Sequence, residues 1–565
     1  MMLKVEYECK TEVLIIGGGG AGIKSGIKAA ENGAEVLIVT KATFGRTGAT
    51  FYPGTPGWGM DAILFEGDTA DYFYEEILEA GAGAADRKLA RILADECTMC
   101  FRELEEYGLV FSIDPNTGEY NGVIPCFGKR KRGAAAYGMD KIRNVMWSKL
   151  KRLGVCIRSG INIISLVIDS GKCVGAVGFD ELSHLVFFRA KAVILGTGGG
   201  CGLFKYSLAT PDQTGDGYMF ALNAGAKLTN IEFIQFIPGL TWPVPGLLFQ
   251  EKNLDTIPEF TDKNGNDILK KYLPNDVSIE ECLVERARHG PFSNATISRY
   301  VDIAMYEEWL KGNTCPSGGI HIQYLPKVLS DQRFPIKAWL NWMSESGVDP
   351  VNQGFDMIPH AQCFNGGIYI SEDASTGITG LFAAGETAGG AHGADRLGGA
   401  AIAATQVFGS RAGISAAKYA SSTSFSDTSL DYASETVISA YYKDEGGVID
   451  ITAATEMIRK IMWRNAAIVR NSSKCTEGIR RLEEIEASFN PMKHFEQNIQ
   501  IRKVSELYSY LTLSKSLLNL IEFRKESRGP HFRDDYPGSN DNFRGMATLS
   551  KRGNEIEIDF VKADY

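Results

Sequence analysis

Three glycines near the start of the chain have the spacing that lets a backbone hold a phosphate. They are Gly17, Gly19 and Gly22, in the segment IIGGGGAG. In such a turn the first glycine permits a tight bend, the second lets a pyrophosphate approach the backbone, and the third lets the following helix pack on the strand. The N-terminus of that helix then faces the phosphates. The chemistry predicted from this spacing is the binding of a dinucleotide.

The residues around these glycines predict the strands and helix that such a turn needs. EVLII, beginning at Glu12, is a short apolar run typical of a buried parallel strand. A helix rich in small residues follows, and AEVLIVT predicts a second strand that ends in Thr40 and Lys41. The unit spans residues 12–41, and this context supports the motif. The second strand lacks the usual acidic residue for a ribose, so a structural glycine turn without a ligand is the alternative.

Two later segments favour a flavin over a nicotinamide. KAVILGTGGG, residues 191–200, is another buried strand that runs into a glycine loop, and GITGLFAAGET, residues 377–387, is a third. A chain that returns to one ligand from three distant places suits a long, buried FAD. Glu386, at the end of the third segment, is predicted to accept hydrogen bonds from a ribose. The alternative is a surface carboxylate that follows a strand.

Composition and charge exclude several other classes of function. The net charge of −10 disfavours a nucleic-acid partner, because no domain-wide basic face is available. The run Lys129–Arg132 is local and is interpreted as a solvated loop. No apolar run reaches the ~20 residues that span a bilayer. We therefore expect a protein without a transmembrane segment.

The cysteines indicate a reducing compartment and no metal site. The chain has 11 cysteines without paired metal-ligand spacing. Cys97 and Cys100 form the only close pair, on a predicted helix, and are interpreted as core packing. The expected location is the cytoplasm. Any iron–sulfur cluster would have to come from another polypeptide.

Several motifs along the chain resemble one flavoprotein family. They include IIGGGGAG, TPDQTGDGYMFALNAGA (210–226), NIEFIQF, FNGGIYI (364–370), GLFAAGE, HGADRLGG (392–399) and ESRGPHFRDDYP (526–537). In this order they resemble the flavoprotein family of succinate dehydrogenase, fumarate reductase and L-aspartate oxidase. The alpha subunit of adenylylsulfate reductase is a more distant relative.

The resemblance implies an α/β architecture with a split Rossmann-like FAD-binding domain. This domain would comprise residues 1–239 and 356–424, with an α+β capping domain inserted at 240–355. A C-terminal helical domain would take residues 425–537, and helical spacing in MIRKIMWRNAAIVRN supports it. The tail, 538–565, alternates in EIEIDFV, which predicts a β-hairpin. The hairpin would either pack on its own domain or dock a partner.

The resemblance also implies where substrate chemistry would occur. The family's substrate-binding arginine falls on Arg396, and the alternative is that Arg396 pairs with Asp395. Of the family's histidines, one falls on Ile237 and one on Gln362, with His360 two residues away. The proton-relay arginine falls near Leu254, and no arginine occurs from Lys227 through Glu285. The predicted catalytic residues are Arg396, His360, Gln362, Glu251 and His392, with Lys252 as a further candidate acid.

The loop FGRTGATFYPG, residues 44–54, has no histidine for a covalent flavin bond. Arg46 or Thr47 takes that place, so non-covalent FAD is predicted. Arg46 and Lys41 are expected to contact the pyrophosphate or to stabilise a reduced flavin anion. The predicted cofactor-binding residues are Gly17, Gly19, Gly20, Ala21, Gly22, Thr40, Lys41, Arg46, Thr47, Gly48, Thr197, Gly198, Gly199, Asp216, Glu386, Arg396 and Ala401.

Three functions are compatible with this pattern. The first is an FAD-dependent oxidoreductase that moves hydride between flavin N5 and a small carboxylate- or carbonyl-bearing compound other than succinate or fumarate. Ile237 favours a partly apolar substrate, with Trp242, Pro243, Pro245 and Phe249 as its wall. The second is a flavoprotein subunit that works with a separate iron–sulfur or other electron-carrier protein. The third, a non-catalytic flavin binder, leaves Arg396 unexplained. The substrate, reaction direction and oligomeric state stay open.

Overall fold

The computed structural model describes residues 3–553 and 555–563. Its strands are β1 Tyr7–Ile16, β2 Val36–Thr40, β3 Gly57–Met60, β4 Ala134–Tyr137, β5 Cys156–Ser159, β6 Asn162–Asp169, β7 Lys172–Phe179, β8 Leu185–Leu195, β9 Leu228–Thr229, β10 Ile234–Trp242, β11 Glu259–Thr261, β12 Ile320–Gln323, β13 Phe355–Phe364, β14 Gly367–Tyr369, β15 Leu381–Ala383, β16 Ala388–Gly389, β17 Gly545–Arg552 and β18 Glu555–Lys562. Its helices are α1 Gly20–Glu31, α2 Ala70–Ala80, α3 Arg87–Tyr107, α4 Met139–Arg152, α5 Asp216–Asn223, α6 Ile279–Arg286, α7 Arg299–Leu310, α8 Phe334–Glu345, α9 Ala400–Ser421, α10 Leu430–Tyr441, α11 Ile451–Ala466, α12 Ser472–Ser488, α13 Pro491–Glu496 and α14 Ile501–Phe523.

A seven-stranded sheet forms the first layer of the fold. Its order is β5-β2-β1-β8-β7-β6, and β15 pairs with the end of β8. Strands β5, β2, β1, β8 and β15 run parallel, and the apolar runs of β2, β1, β8 and β15 are buried on both faces. Because parallel strands end at one edge, the three glycine-bearing segments predicted from the sequence meet there. This is the Rossmann-like α/β arrangement that the family resemblance implies.

A four-stranded antiparallel sheet, β10-β13-β12-β11, joins the predicted cap to the FAD-binding segments. Strand β10 crosses the predicted boundary at 239, and β13 begins at Phe355, beside the boundary at 356. Ile237 of β10 pairs with His360 of β13. The cap is therefore continuous in hydrogen bonding with the strands that approach the cavity.

The C-terminal region is helical and then returns to the FAD-binding part. Helices α11, α12 and α14 pack on one another. A buried ion pair fastens this region, because Arg524 Nε donates to Glu232 Oε1 at 2.6 Å with both side chains fully buried. The tail forms the antiparallel hairpin β17–β18, and β17 adds to β9. The hairpin thus packs on its own chain. Residues 1, 2, 554, 564 and 565 of the predicted units lie outside the described residues.

Two local predictions from the sequence have different outcomes. Cys97 and Cys100 lie fully buried on α3, which confirms core packing. The interpretation of Lys129–Arg132 as a solvated loop is wrong for Arg132, which is 1% exposed. Its guanidinium binds Asp68 and Glu76, so two interior carboxylates hold it in place.

Candidate active site

A long cavity begins at the glycine turn between β1 and α1. Gly17 has φ of +113°, and a Cβ there would lie 2.1 Å from the carbonyl oxygen of Gly196. A Cβ on Gly22 would lie 2.0 Å from the carbonyl oxygen of Gly17, so Gly22 lets the helix sit against the turn. Gly19, Gly20 and Ala21 line the cavity. Gly17 and Gly22 therefore have the steric roles that their spacing predicts.

The end of β2 contributes a lysine that interior carboxylates hold. Thr40 and Lys41 both line the cavity. Lys41 Nζ donates to Thr214 Oγ1 at 3.0 Å, to Asp216 and to Glu506 at 3.0 Å. Burial alone would lower the pKa of Lys41, but the two carboxylates together raise it. Lys41 therefore carries a charge beside the cavity.

Most other predicted cofactor residues also line the cavity. Besides those already placed, they are Thr47, Gly48, Thr197, Gly198, Asp216, Glu386, Arg396 and Ala401. Gly199 is not among the described residues that line the cavity, and a Cβ on it would lie 2.2 Å from Glu386 Oε1. Glu386 Oε1 accepts the N–H of Phe364 at 3.0 Å, and burial raises the pKa of Glu386.

Arg46 does not join this set. Its side chain is 62% exposed, and Nη1 lies 3.7 Å from an Asp140 oxygen. Arg46 is not among the described residues that line the cavity, and its exposed side chain points toward α4.

Arg396 lies at another part of the same cavity and is not paired with Asp395. It is 7% exposed, Nη1 donates to the carbonyl of Leu397 at 2.8 Å, and Nε has no partner among the described residues. Asp395 Oδ2 instead accepts from Ser293 Oγ at 2.8 Å. Burial raises the pKa of Asp395 to about 7. A buried guanidinium with an unmet donor is suited to bind a carboxylate.

Gln362 and His392 line the cavity with Arg396. Strand β13 has a register shift where Gln235 faces Cys363 and Phe236 faces Ala361, so Gln362 is an extra residue in a bulge. Its Oε1 has no partner among the described residues. Burial, and then Arg396, lower the pKa of His392 to about 3, so this imidazole is neutral at pH 7.

His360 is not among the described residues that line the cavity. Its Nδ1 lies 2.8 Å from the carbonyl oxygen of Ile358, and its ring centroid lies 5.7 Å from that of Tyr206. Burial lowers the pKa of His360 to about 4. Because His360 pairs with Ile237 in the β-sheet, a small shift in register does not bring His360 into the place of Gln362.

Glu251 lies where the cap meets the Arg396 region. Its Oε1 is 3.7 Å from Cys126 Sγ, and that sulfur accepts the N–H of Gly290 at 3.3 Å. A Cβ on Gly290 would lie 3.0 Å from Ile237 Cδ1. Ile237 and Glu251 therefore share a junction with Cys126, although neither is among the described residues that line the cofactor cavity.

The predicted apolar wall is not assembled at the cavity. Trp242 is 38% exposed, whereas Phe249 is fully buried against Trp339 and Phe355 inside the cap. Leu254 is likewise fully buried. Aromatic residues in a sequence indicate that a segment is buried, but they do not indicate which part of the protein it packs against.

The structure adds residues that sequence reasoning missed. Asp61 and Cys126 lie next to the turn at Gly398–Gly399, and Cys363 lines the cavity beside Arg396 and Glu386. Arg299 begins α7, and its guanidinium donates to the carbonyl of Asn294 at 3.2 Å and to Tyr300 Oη at 3.1 Å. The sequence did hold a signal for Arg299. The stretch in which the family's arginine was expected has no arginine up to residue 285, so the cap arginines that follow it, including Arg299, are the next candidates.

These features fit FAD and define the class of protein. Three strand ends and a glycine cradle form one part of the cavity, and a buried, incompletely bonded arginine forms another. The chain is an FAD-dependent oxidoreductase with an α/β cofactor domain and a C-terminal helical domain.

Comparison with known proteins shows the family. The FAD binding domain family matches residues 12–402, and the fumarate reductase flavoprotein C-terminal family matches residues 455–565. The chain belongs to the fumarate reductase and succinate dehydrogenase flavoprotein family. A fumarate reductase (CoM/CoB) subunit of Methanothermobacter marburgensis is 30% identical, covering 97% of this chain and 98% of that protein.

Two solved structures extend the comparison. The Mycobacterium smegmatis Sdh1 complex with UQ1 matches with a TM-score of 0.81 and 26% identity, over 99% of this chain and 95% of that one. Adenylylsulfate reductase from Archaeoglobus fulgidus matches with a TM-score of 0.71 and 19% identity, over 99% of this chain and 97% of that one, which shows a shared fold. No helix within the described residues is long and apolar enough to cross a bilayer.

Proposed function

We propose that this protein transfers hydride between non-covalently bound FAD and a small organic acid or carbonyl compound other than succinate and fumarate. The observation that carries the proposal is Arg396, which is buried at the cavity with Nε unbonded to any described residue. A guanidinium in that state favours a carboxylate, because its planar donors match carboxylate geometry. FAD, when bound, supplies the hydride-accepting and hydride-donating atom.

The chain's own groups would orient the substrate and manage its charge. Arg396 would bind one carboxylate, and the unpartnered Gln362 Oε1 would accept from a substrate hydroxyl or amide. His392 would act as a neutral imidazole, since its pKa is lowered to about 3. The predicted dicarboxylate positions at Ile237, Leu254 and Gln362 carry no charge, which supports a substrate with fewer carboxylates than succinate.

Arg299 is the cap residue that would supply a second positive charge. The contacts of its guanidinium are a backbone carbonyl and a tyrosine hydroxyl, so no described carboxylate neutralises it through a hydrogen bond. The segment that precedes Arg299 contacts the turn that carries Arg396, because Ser293 Oγ donates a hydrogen bond to Asp395 Oδ2. We include Arg299 with Glu251 as the cap groups that would close over a bound acid.

A stopped-flow screen tests this function. Holoenzyme is mixed with small carboxylates and carbonyl compounds, and reduction or reoxidation of the flavin is followed by its absorbance. We expect a monocarboxylate or carbonyl compound to react at ordinary enzymatic rates, and succinate, fumarate and aspartate to react far more slowly. Fast turnover of any of those three would overturn the substrate assignment. Flavin that remains in an acid-precipitated pellet would overturn non-covalent binding.

The second candidate is a flavoprotein subunit that works with an iron–sulfur protein. The Methanothermobacter marburgensis relative is named as one subunit of a fumarate reductase, which supports a multi-subunit assembly. The described residues contain no group of three or more His, Cys, Asp and Glu side chains that could hold a metal ion, so a cluster would reside on the partner. Slow oxidation of reduced flavin by oxygen, with co-purification of a ferredoxin-like protein, would favour this candidate.

We further propose the domain limits and the compartment. The FAD-binding domain would comprise 1–239 and 356–424, the cap 240–355 and the helical domain 425–537. A reducing cytoplasm is supported by the cysteines, all 11 of which are free thiols.

A further inference from the structure

Asp61 is a buried, incompletely bonded carboxyl group beside the Arg396 turn. It follows β3, whose Gly57, Trp58 and Gly59 line the cavity, and it is 3% exposed. Its backbone N–H donates to the carbonyl of Gly399 at 3.4 Å. A Cβ on Gly399 would lie 2.3 Å from Asp61 Oδ1. The carboxyl group therefore packs on the turn that connects Arg396 to α9.

The charge state of Asp61 depends on whether a cation is available to it. Its Oδ2 has no hydrogen-bond partner among the described residues. An unpaired carboxylate is costly in a protein interior, and such a group takes up a proton instead. The neighbouring cation Arg132 is already bound, because it donates to Asp68 at 2.8 and 2.6 Å and to Glu76 at 3.0 Å.

Five charged or titratable groups lie within electrostatic reach of Asp61. They are Arg132, Arg396, Asp68, Glu76 and Cys97. Burial raises the pKa of Asp61 to about 8, the two arginines oppose this shift, and the two carboxylates add to it. Burial raises the pKa of Cys97 to about 12, so its thiol is neutral. At pH 7 Asp61 is therefore mostly protonated, and it ionises as the pH rises through about 8.

We propose that Asp61 is a positioning residue: by holding a proton at neutral pH it leaves Arg396 available to an anionic substrate. This inference rests on the proposed role of Arg396 as a carboxylate-binding group. When Asp61 ionises, its negative charge repels a bound carboxylate and attracts the guanidinium, so anion affinity falls. The coupling is reciprocal, because a bound anion must raise the proton affinity of Asp61 by the same factor.

The protonation state is tested by infrared difference spectroscopy on holoenzyme between about pH 6 and about pH 10. Asp395→Asn is the matched control, because Asp395 is another buried acid near Arg396 with a raised pKa of about 7. We expect a protonated-carboxyl band that disappears with a midpoint near pH 8 in wild type and in Asp395→Asn. Asp61→Asn should lose this component and keep the one that Asp395 contributes near pH 7, and Asp61→Glu should restore a component with a different midpoint. A component with a midpoint near pH 8 that is retained in Asp61→Asn, or lost in Asp395→Asn, would overturn the inference.

The consequence for Arg396 is tested with acetate, whose own ionisation is complete in this range. Acetate binding to oxidised holoenzyme is followed by the flavin absorbance. We expect its dissociation constant to rise on the order of tenfold as Asp61 ionises in wild type, and to stay constant in Asp61→Asn. An equal rise in Asp61→Asn would overturn the coupling. If acetate fails to bind while the infrared band is assigned to Asp61, the proposed carboxylate site is wrong and the protonation of Asp61 stands.

Discussion

The glycine end and the Arg396 end of the cavity differ in whether their cation keeps an unbonded donor. At the glycine end the cation Lys41 is held by Asp216 and Glu506, and the free polar atoms are carboxylate oxygens of Asp212 and Asp216. At the Arg396 end, oxygens of Asp61, Gln362 and Asp395 are also unbonded among the described residues, but here the cation keeps an unbonded donor, Arg396 Nε. Carboxylate oxygens accept from hydroxyl and amino groups, whereas a guanidinium donor attracts an anion. The difference suggests a sugar-bearing ligand at one end and an acid at the other.

The two ends also differ in the source of their shape. At the glycine end the backbone itself approaches the ligand, because Gly17 and Gly22 leave no room for a Cβ. At the Arg396 end, the side chains of Gln362, His392 and Arg396 line the cavity, and Asp61 packs on the neighbouring turn at Gly399. We therefore expect cofactor binding to depend on local backbone geometry, and the proposed substrate binding to depend on how separate segments meet.

The largest expected effect separates the two ends directly. Arg396→Ala should cost about 2–5 kcal/mol in kcat/KM, because it removes the charged partner of a desolvated carboxylate. Bound FAD per chain should remain close to that of wild type. Steady-state kinetics and flavin absorbance of the purified variant measure both quantities. Arg396→Lys is the control for charge without bidentate geometry; full activity in Arg396→Ala would remove this residue from the site.

The next effect concerns the lysine of the glycine end. Lys41→Met leaves Asp216 and Glu506 without their cation, so FAD binding should weaken by about 1.5–3 kcal/mol. A fluorescence titration of apoprotein with FAD measures the change. Lys88→Met is the matched control, because Lys88 is a surface lysine with a 77% exposed side chain paired with Glu372. Equal FAD affinity in the two variants would contradict a role for Lys41 at the cofactor.

A pair of glycine variants distinguishes fold from cofactor binding. Gly22→Ala places a Cβ 2.0 Å from a carbonyl oxygen and should lower the stability of the apoprotein by about 1–3 kcal/mol. Gly19→Ala meets only Thr50 Oγ1 at 3.4 Å, so the apoprotein should keep its Tm while FAD binds more weakly. Thermal unfolding of apoprotein and FAD titration provide the two measurements. The same Tm loss in both variants would show that Gly19 is also structural.

The smallest effect is expected at Arg46. Its side chain is 62% exposed, so Arg46→Ala should change FAD affinity by less than about 0.5 kcal/mol. The FAD titration used for Lys41→Met is the appropriate measurement. A loss as large as that of Lys41→Met would show that Arg46 turns toward the pyrophosphate when FAD binds, as the sequence predicts.

The sequence was most informative where function depends on a short, continuous segment. The roles of Gly17 and Gly22 follow from spacing alone, because a turn between a strand and a helix is determined by neighbouring residues. The parallel strands were predictable for the same reason, since each is a continuous apolar run. The choice between His360 and Gln362 was not predictable, because a single bulge in β13 decides which of them enters the cavity.

The burial and charge state of individual ionisable side chains could not be predicted from the sequence either. Arg132 is part of a basic run of the kind usually exposed to solvent, yet Asp68 and Glu76 hold it in the interior. Asp61 gave no signal in the sequence, because an aspartate after a strand is ordinarily an exposed, ionised group. Its burial against Gly399, with Arg132 already bound elsewhere, is a property of packing.

The amino-acid sequence by itself determined the FAD cofactor through glycine spacing and buried apolar runs, and it determined the family and the α/β fold through the resemblance of its motifs to that family. Only the tertiary structure decided which polar atoms stay unbonded at the Arg396 end, because these come from separate segments of the chain, as distant as Asp61 and Arg396. The same packing decides that Arg396 is not paired with Asp395 and that Asp61 holds a proton. Desolvation and the arrangement of neighbouring charges set both outcomes, and neither is encoded in any single motif.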